Sequence, residues 1–391
     1  MKRRIALLLF LLFATIPLFA FSPPYLTKKV TVFIDGEALE GDTFRVDLSH
    51  ALRVDRWGGY EATYEKLLGK YTAKEALDYL AIGLGDYLSA ECERRKIDPL
   101  DATLEWTKDI SRPFIYYEAK CGREADLTEV GRAVARAMDK DKGACAYAYT
   151  HEVPPAVTEK DMEKRTVEIA RFSTDFRTSG ESRKRNIALA AGAIHGTVLM
   201  PNGRFSFNET VGARTVERGY REANIVVNGA FVKGVGGGVC QVSTTLYNAV
   251  LLAALPVENA AAHSLPVSYV PYSRDCTVSS AIDFRFRNDT AHPIYLAAET
   301  KGSTLTFVLY GERKEGVRRL ESEVVERIPF FAVYKDGTRA DDLTNAVLVS
   351  PGREGVASRL YLVEEKSGAV TRTLIRENLY PAKNAVYKKA A

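Results

Sequence analysis

At 391 residues the chain is long enough for two or three domains, since ordinary domains hold about 100 to 200 residues. Its 46% hydrophobic and 10% aromatic residues predict packed cores and argue against a disordered chain. The formal net charge is only +4, with acidic and basic residues interspersed, so no nucleic-acid partner is expected and an anionic polymer is only weakly favoured.

The N-terminus has the composition of an export signal. Three basic residues precede an apolar run over residues 5–20, which is long enough for the core of a signal peptide and short for a membrane span. Ala20 supplies a small residue at the expected cleavage point. We therefore predict an exported protein with residues 1–20 as signal peptide. An uncleaved anchor is the alternative, and in either case this segment is the only expected contact with a membrane.

Five cysteines occur, at Cys92, Cys121, Cys145, Cys240 and Cys276. Outside the cell membrane cysteines tend to pair, and an odd count leaves at least one unpaired. The first three share one region, where a disulfide is expected, although the sequence does not choose the pair. None shows the close Cys-x-x-Cys spacing of a zinc knuckle or a thiol oxidoreductase.

Residues 29–161 mix two kinds of pattern. Residues 30–34 alternate like a strand, residues 73–97 have helical spacing, and residues 102–106 and 114–117 again alternate. We predict an α+β unit here, and no residue in it suggests catalysis.

Residues 165–312 predict a second α+β module. Strands are expected at 167–172, 224–227, 267–270, 281–286, 294–296 and 305–310, with a helix at 182–194. The clearest helix prediction is 240–255, where one face is apolar and no glycine or proline occurs before Pro256. The remaining residues, 320–389, have strand patterns between glycine turns and predict a separate, small antiparallel sheet with no enclosed pocket.

The glycine run Gly236–Gly238 just before Cys240 is the feature that points to chemistry. Three glycines let the backbone turn tightly and let another chain approach closely. A helix beginning at or just after Cys240 would place the thiol beside unpaired N–H groups at the positive end of the helix dipole. That environment favours the reactive thiolate, and the same N–H groups could stabilise an oxyanion. Ser243 and Thr244 add hydroxyls near this first turn.

A nucleophilic thiol also needs a base. His263 follows the helix and precedes a predicted strand that could return the chain to Cys240, so it is the favoured partner, with His195 as a weaker candidate. Asp275 and Asp283 could each orient the histidine, and the sequence does not separate them.

Four other roles for Cys240 compete with this one. A lone cysteine is more often a small buried hydrophobe, and Cys240 could instead form a disulfide with Cys276. A phosphate-binding loop would need a lysine that is absent here. A zinc site with His263 and Cys276 lacks recognisable ligand spacing, so neither a metal nor another cofactor is expected.

The block from Gly236 to Asn248 closely resembles the VanW-type family of bacterial cell-envelope proteins. The resemblance extends over about a third of the chain, through these segments: Phe172-Ser173-Thr174, Phe205-Ser206-Phe207-Asn208, His263-Ser264, Asp275 and Asp283-Phe284. Where relatives commonly have Asp-Ala-Thr-Val, this chain has Asp275-Cys276-Thr277-Val278, which keeps the disulfide alternative open.

The resemblance implies four segments: a signal peptide (1–20), a domain similar to peptidoglycan-binding domains (29–161), a VanW-type α+β domain built around one buried helix (165–312) and a β-rich module similar to G-five modules (320–389). It also implies an L,D-transpeptidase-like enzyme acting on peptidoglycan stem peptides and glycan. Cys240 would be the nucleophile and His263 its base. The supporting positions for oxyanion binding or orientation are Gly238, Val239, Gln241, Ser243, Thr244, Ser264, Asp275 and Asp283. A non-catalytic wall-binding protein with a structural Cys240 is the alternative.

Overall fold

The computed structural model describes residues 31–38, 88–90, 92–140, 145–227 and 230–389. The predicted signal peptide and most of the helix predicted at 73–97 lie outside these residues. Within them, no helix has the length and apolar character needed to cross a membrane. The described residues divide into two compact units, the first formed by those up to Asp101 together with those from Ala119 to Ala156, and the second by Ala102–Glu118 together with those from Val157 onward.

The helices in the described ranges are α1 (Leu127–Lys140), α2 (Glu159–Arg165), α3 (Glu181–Ile194), α4 (Phe207–Val211) and α5 (Val239–Leu252). The strands are β1 (Thr31–Ile34), β2 (Glu37–Ala38), β3 (Thr103–Trp106), β4 (Phe114–Tyr117), β5 (Gly122–Ala125), β6 (Cys145–Ala148), β7 (Thr150–Val153), β8 (Val167–Asp175), β9 (Thr197–Leu199), β10 (Arg204–Ser206), β11 (Glu222–Val227), β12 (Ala230–Val235), β13 (Val257–Asn259), β14 (Arg285–Arg287), β15 (Ile294–Lys301), β16 (Thr304–Gly311), β17 (Val317–Ile328), β18 (Ala332–Tyr334), β19 (Ala346–Ser350), β20 (Gly355–Lys366), β21 (Ala369–Tyr380) and β22 (Ala385–Lys389). The predicted mixed α+β class with several sheets is confirmed.

In the first unit, β1 pairs with β2 and, in parallel, with β6, while β5 pairs with β7. Cys121 and Cys145 are exposed, and neither is disulfide-bonded. Every pair among Cys92, Cys121 and Cys145 includes one of these two residues, so the disulfide predicted for this region is wrong.

The centre of the second unit is the helix α5. It packs on β8 and β16 of the antiparallel sheet β8–β16–β15–β9 and contacts α3. Every residue from Val239 to Leu251 is buried except Cys240, and buried polar side chains such as Gln241 and Asn248 form hydrogen bonds inside the protein. The prediction of a module built around one buried helix is confirmed.

The C-terminal strands form two sheets, β17–β20–β21 and β18–β22–β19. The antiparallel prediction is correct for the first sheet and wrong for β18 and β22, which pair in parallel. Leu320 of β17 and Leu360 of β20 belong to the same hydrophobic core as α5. The first sheet therefore packs against the central module, whereas the sequence patterns suggested a separate tail.

The chain between β13 and β14 is largely irregular, and the strand predicted at 267–270 is absent from this part of the described chain. Pro266 and Pro271 bracket the segment and cannot donate ladder hydrogen bonds. Side chains of α5 fix the loop instead, for example Asn248, whose Nδ2 donates to the Arg274 carbonyl at 2.8 Å. The alternating pattern was therefore outweighed by proline and by side-chain hydrogen bonding.

Replacing Gly238 with alanine should destabilise this unit. Gly238 has φ +110°, and an added Cβ would lie 2.8 Å from Cγ and 3.1 Å from the carbonyl oxygen of Arg183. We expect Gly238→Ala to lower the free energy of unfolding by about 1–3 kcal/mol in urea titrations. Gly192→Ala is the control, because an added Cβ there meets nothing within 4 Å and should stabilise α3 by roughly 0.5–1 kcal/mol. Equal effects of the two substitutions would contradict the steric account.

Candidate active site

The glycine run shapes the turn that carries Cys240. Gly236 and Gly238 have φ values of +88° and +110°, which glycine adopts readily and other residues rarely do. Between them, a Cβ on Gly237 would lie 2.7 Å from the Asn224 carbonyl oxygen. The run therefore provides both the turn and the close approach of β11. Gly238 is the N-cap of α5, and Cys240 is the second helical residue.

The first turn of α5 leaves one backbone donor beside the thiol. Val239 N–H donates to the Gly236 carbonyl at 3.2 Å, and Gln241 N–H donates to the Gly238 carbonyl at 3.0 Å. Among the described residues the Cys240 N–H has no hydrogen-bond acceptor. Among the positions expected to bind an oxyanion, the N–H groups of Gly238 and Cys240 therefore have no acceptor in the described part of the chain, and that of Cys240 lies in the first turn of α5.

His263 connects Cys240 to a buried carboxylate. Its side chain contacts the Cys240 thiol, which also lies 3.4 Å from the Val278 carbonyl oxygen, and its Nδ1 lies 2.7 Å from Oδ2 of Asp275. The His263 backbone N–H donates to the same oxygen at 2.7 Å, which fixes the position of the residue. Because Nδ1 faces Asp275, Nε2 is the nitrogen available to the sulfur. The side chains of His263 and Asp275 are 7% and 1% exposed, so water has little access to this hydrogen bond.

These contacts favour a thiolate and an imidazolium. Burial alone would raise the pKa of Cys240, but the hydrogen bond and positive charge of His263 lower it overall. Burial likewise opposes charging of His263, yet the contacts with Asp275 and Cys240 raise its pKa from 6.5 to about 9. Asp275 stays ionised, because its hydrogen bonds with His263 and Tyr380 outweigh the effect of burial and lower its pKa.

Asp275, and not Asp283, is the carboxylate beside His263. Asp283 accepts hydrogen bonds from Ser206 Oγ at 2.7 Å and from the Asn208 N–H at 2.9 Å, and it also pairs with Arg285. It therefore fixes the start of α4. His195, the weaker histidine candidate, accepts the Ala298 N–H at Nδ1.

The predicted supporting hydroxyls mainly hold backbone. Ser243 and Thr244 donate to the Cys276 carbonyl at 2.6 and 3.2 Å, and Thr244 Oγ1 also accepts the Cys276 N–H at 2.9 Å. These bonds attach the chain around Asp275 to the first turns of α5. Ser264 is exposed. Thr277, which was not predicted, has its Oγ1 3.7 Å from the Cys240 sulfur.

Cys276 differs from Cys240 although both lie in the same core. Neither cysteine is disulfide-bonded, and Cys276 is completely buried. Burial raises the pKa of Cys276, and it has no histidine contact that reverses this effect. Among the described residues no group of three or more His, Cys, Asp or Glu side chains is arranged to hold a metal ion.

Two arginines that the sequence did not single out flank the glycine run. Arg183 of α3 packs against Gly238, and Arg214 packs against Gly236. Arg183 donates to the hydroxyl of Ser179 and to Oε1 of buried Gln241, while Arg214 donates to Oδ1 of Asn208, so all these partners are neutral. Neither guanidinium forms a salt bridge with a carboxylate in the described ranges. The negative charge of the Cys240 thiolate favours the charged form of both arginines.

Tyr380 and Arg376 of β21 also reach the site and were not predicted. The Tyr380 hydroxyl donates to Oδ1 of Asp275 at 2.5 Å, and Arg376 Nη2 lies 3.5 Å from the same atom. More than 100 residues separate these side chains from Asp275, and no motif or periodicity in the sequence links them.

The contact with His263 should make Cys240 unusually reactive near neutral pH. We expect iodoacetamide to alkylate Cys240 with a midpoint below that of an ordinary thiol, and His263→Ala to slow the reaction at pH 7 by about tenfold for each unit that the thiol pKa rises. Peptide-level mass spectrometry resolves Cys240, with exposed Cys121 as internal reference. Slow labelling of Cys240 that His263→Ala does not change would contradict the assigned contact.

Comparison with known proteins places this site in a family. The family described as VanW like protein matches residues 182–310, which include Cys240, His263 and Asp275. The chain is 45% identical over 146 residues to the uncharacterized protein YoaR of Bacillus subtilis (strain 168), which is 37% of this chain and 48% of that protein. It is 31% identical over 116 residues to the vancomycin B-type resistance protein VanW of Enterococcus faecalis (strain ATCC 700802 / V583), which is 28% of this chain and 42% of that protein.

The matches thus span less than half of the length of either relative. A crystal structure of HP0197-G5 is similar over 20% of this chain and all of that chain, with 19% sequence identity and a TM-score of 0.13, which is too low to assign a fold to the C-terminal strands. The G-five resemblance of residues 320–389 and the predicted domain limits stay predictions. Residues 182–310 of this chain match the VanW-like family, and the two relatives are similar to the chain over part of their length.

Proposed function

We propose that this VanW-type protein is an exported cell-wall enzyme, an L,D-transpeptidase-like cysteine acyltransferase that acts on peptidoglycan stem peptides. The observation that carries the proposal is the position of His263, which contacts the Cys240 thiol and has its Nδ1 2.7 Å from Oδ2 of Asp275. A nucleophile, a base and a carboxylate that orients the base are the parts that acyl transfer through a thioester requires. The name of the Enterococcus relative, a vancomycin resistance protein, is consistent with a role at the cell wall.

In the first half-reaction the Cys240 thiolate would attack the carbonyl carbon of an L,D peptide bond. As negative charge develops on the carbonyl oxygen, this oxygen would accept a hydrogen bond from the Cys240 N–H, which has no other acceptor among the described residues. The C–N bond then breaks, and the His263 imidazolium gives its proton to the departing amine. The products are a thioester on Cys240 and a free terminal D-residue.

In the second half-reaction the amine of a neighbouring stem peptide would attack the thioester carbonyl. Neutral His263 accepts the proton of this amine, the new C–N bond forms and the C–S bond breaks. The thiolate and the imidazolium are thereby restored. Asp275 stays ionised throughout and stabilises the charged imidazole at the two points where His263 carries the proton.

Arg183 and Arg214 support a substrate with a carboxylate close to the scissile bond. Both guanidiniums are partly buried beside the glycine run and are bound only to neutral groups in the described part of the chain. A partly buried cation is stabilised by an anion that forms charge-assisted hydrogen bonds with it. The terminal D-residue of a stem peptide carries such a carboxylate directly next to the L,D bond.

The alternative is a non-catalytic peptidoglycan-binding envelope protein in which Cys240 is structural. A structural cysteine is usually a buried, inert thiol, and Cys276 fits that description. Cys240 does not, because it is partly exposed between buried neighbours in the first turn of α5 and because His263 lowers its pKa. These two differences favour the enzyme.

Purified protein should crosslink muropeptides, and Cys240→Ala should abolish this activity, because the nearby hydroxyls of Ser243 and Thr244 are hydrogen-bonded to the Cys276 carbonyl. The wild-type protein should also carry a stem-peptide adduct on Cys240, visible by mass spectrometry. Amidation of the terminal D-carboxylate should slow adduct formation by about 10- to 100-fold, the usual effect of losing a hydrogen bond to a charged group.

Cys276→Ala is the matched control, since it removes the same thiol group from a buried position and should leave crosslinking intact. If wild-type and Cys240→Ala proteins bind sacculi equally and neither forms an adduct or a crosslink, the enzyme proposal is wrong and the wall-binding alternative holds.

A further inference from the structure

The two carboxylate oxygens of Asp275 serve different parts of the chain. Oδ2 accepts the His263 backbone N–H and faces His263 Nδ1, both at 2.7 Å. Oδ1 accepts the Tyr380 hydroxyl at 2.5 Å and faces Arg376 Nη2 at 3.5 Å. The carboxylate that orients His263 is therefore itself held by β21. The sheet β17–β20–β21, to which this strand belongs, is called the C-terminal sheet below.

The same sheet holds the residues just before Asp275. Tyr380 Oη accepts the Ser273 N–H at 3.0 Å, and Arg376 Nε donates to the Ser273 carbonyl at 2.8 Å. Ser273 Oγ lies 2.8 Å from Ser358 Oγ of β20. Ser273 has φ +65°, a conformation that a non-glycine residue adopts only where its surroundings hold it. The approach of the chain to Asp275 is thus determined by contacts with the C-terminal sheet.

The chemistry of Tyr380 suits this position. A phenol can accept one hydrogen bond and donate another, as Tyr380 does between the Ser273 N–H and Asp275. Burial raises the pKa of Tyr380, so the hydroxyl keeps the proton that it donates. A phenylalanine would fill nearly the same space and leave Oδ1 of Asp275 without its shortest hydrogen bond.

Arg376 is placed at a cost to stability. Its Nη1 is buried and has no hydrogen-bond partner within the described residues, while its Nη2 serves the carbonyl and carboxylate of Asp275. A buried donor without a partner is unfavourable, and such groups in native proteins often accompany a functional requirement. The Arg376 guanidinium also lies 5.1 Å from the centre of the Tyr247 ring, so Arg376 contacts α5 as well as Asp275.

We propose that Tyr380 and Arg376 are positioning residues for the cysteine–histidine pair, so that the C-terminal sheet forms part of the catalytic unit. The proposal rests on the proposed function, because it assumes that the ionised pair of Cys240 and His263 is the working state. Tyr380 holds Asp275, Asp275 holds the His263 ring, and the ring stabilises the thiolate. Neither β21 residue touches the reacting atoms.

The test compares Tyr380→Phe with Tyr361→Phe, which removes a hydroxyl from β20 of the same sheet, where the Tyr361 ring lies beneath Arg372. The rate of Cys240 alkylation by iodoacetamide is measured against pH for each full-length protein, with thermal unfolding in parallel. We expect Tyr380→Phe to move the alkylation midpoint upward and to slow the reaction at pH 7 about tenfold, which corresponds to one pKa unit. Tyr361→Phe should match the wild-type protein.

A purely structural role for Tyr380 would lower the melting temperature and leave the alkylation midpoint unchanged, and that outcome overturns the proposal. If Tyr380→Phe does not fold, Arg376→Lys gives the answer, because it keeps the charge but loses the planar fork that reaches two groups at once. It should raise the midpoint by a smaller amount, and an unchanged midpoint again overturns the proposal. An ordinary thiol midpoint in the wild-type protein would instead remove the proposed function, and the positioning role with it.

Discussion

One buried carboxylate organises the site. Asp275 is 1% exposed, and an ionised carboxylate at that depth is stable only when hydrogen bonds and opposite charge replace the lost water. His263 provides both on one side, and Tyr380 with Arg376 provides them on the other. Removing any of these partners leaves a buried charge that is poorly compensated. The geometry around Cys240 therefore depends on groups from two distant parts of the chain.

The second constraint is the backbone of the glycine run. Positive φ values at Gly236 and Gly238 direct the chain into α5 with Cys240 in its first turn, where the helix dipole and a free N–H favour negative charge. The absence of side chains also lets Arg183 and Arg214 pack against the turn. A single feature of the sequence thus places the Cys240 thiol, its backbone N–H group and two cations within one region.

The parts of this arrangement that were predicted from the sequence are local. Gly236–Gly238, Cys240 and the start of α5 lie within a few residues of one another, where turn and helix signals are strong. His263 follows the same helix closely enough to be favoured. The choice between Asp275 and Asp283 required the structure, because both follow His263 and only the path of an irregular loop decides which one returns to it.

The other residues of the site could not be predicted from the sequence, for physical reasons. Tyr380 and Arg376 lie on a strand whose alternating pattern says which face is buried but not what that face meets. Arg183 belongs to a helix with several exposed charges, among which one half-buried arginine has no distinguishing pattern. The strand predicted at 267–270 is wrong because side chains of α5 form hydrogen bonds with that loop, and the alternating pattern of the sequence does not show these bonds.

The proposed site requires that His263 carries a proton across the neutral range, because Cys240 and Asp275 both stabilise its charged form. An NMR titration of the His263 Cε1–H resonance, assigned by its loss in His263→Ala, measures this protonation directly. We expect His263 to stay an imidazolium up to about pH 9 and its titration midpoint to be lower in Cys240→Ala. A His263 that titrates near its ordinary value of 6.5, unchanged by removal of the thiol, would contradict the ion pair.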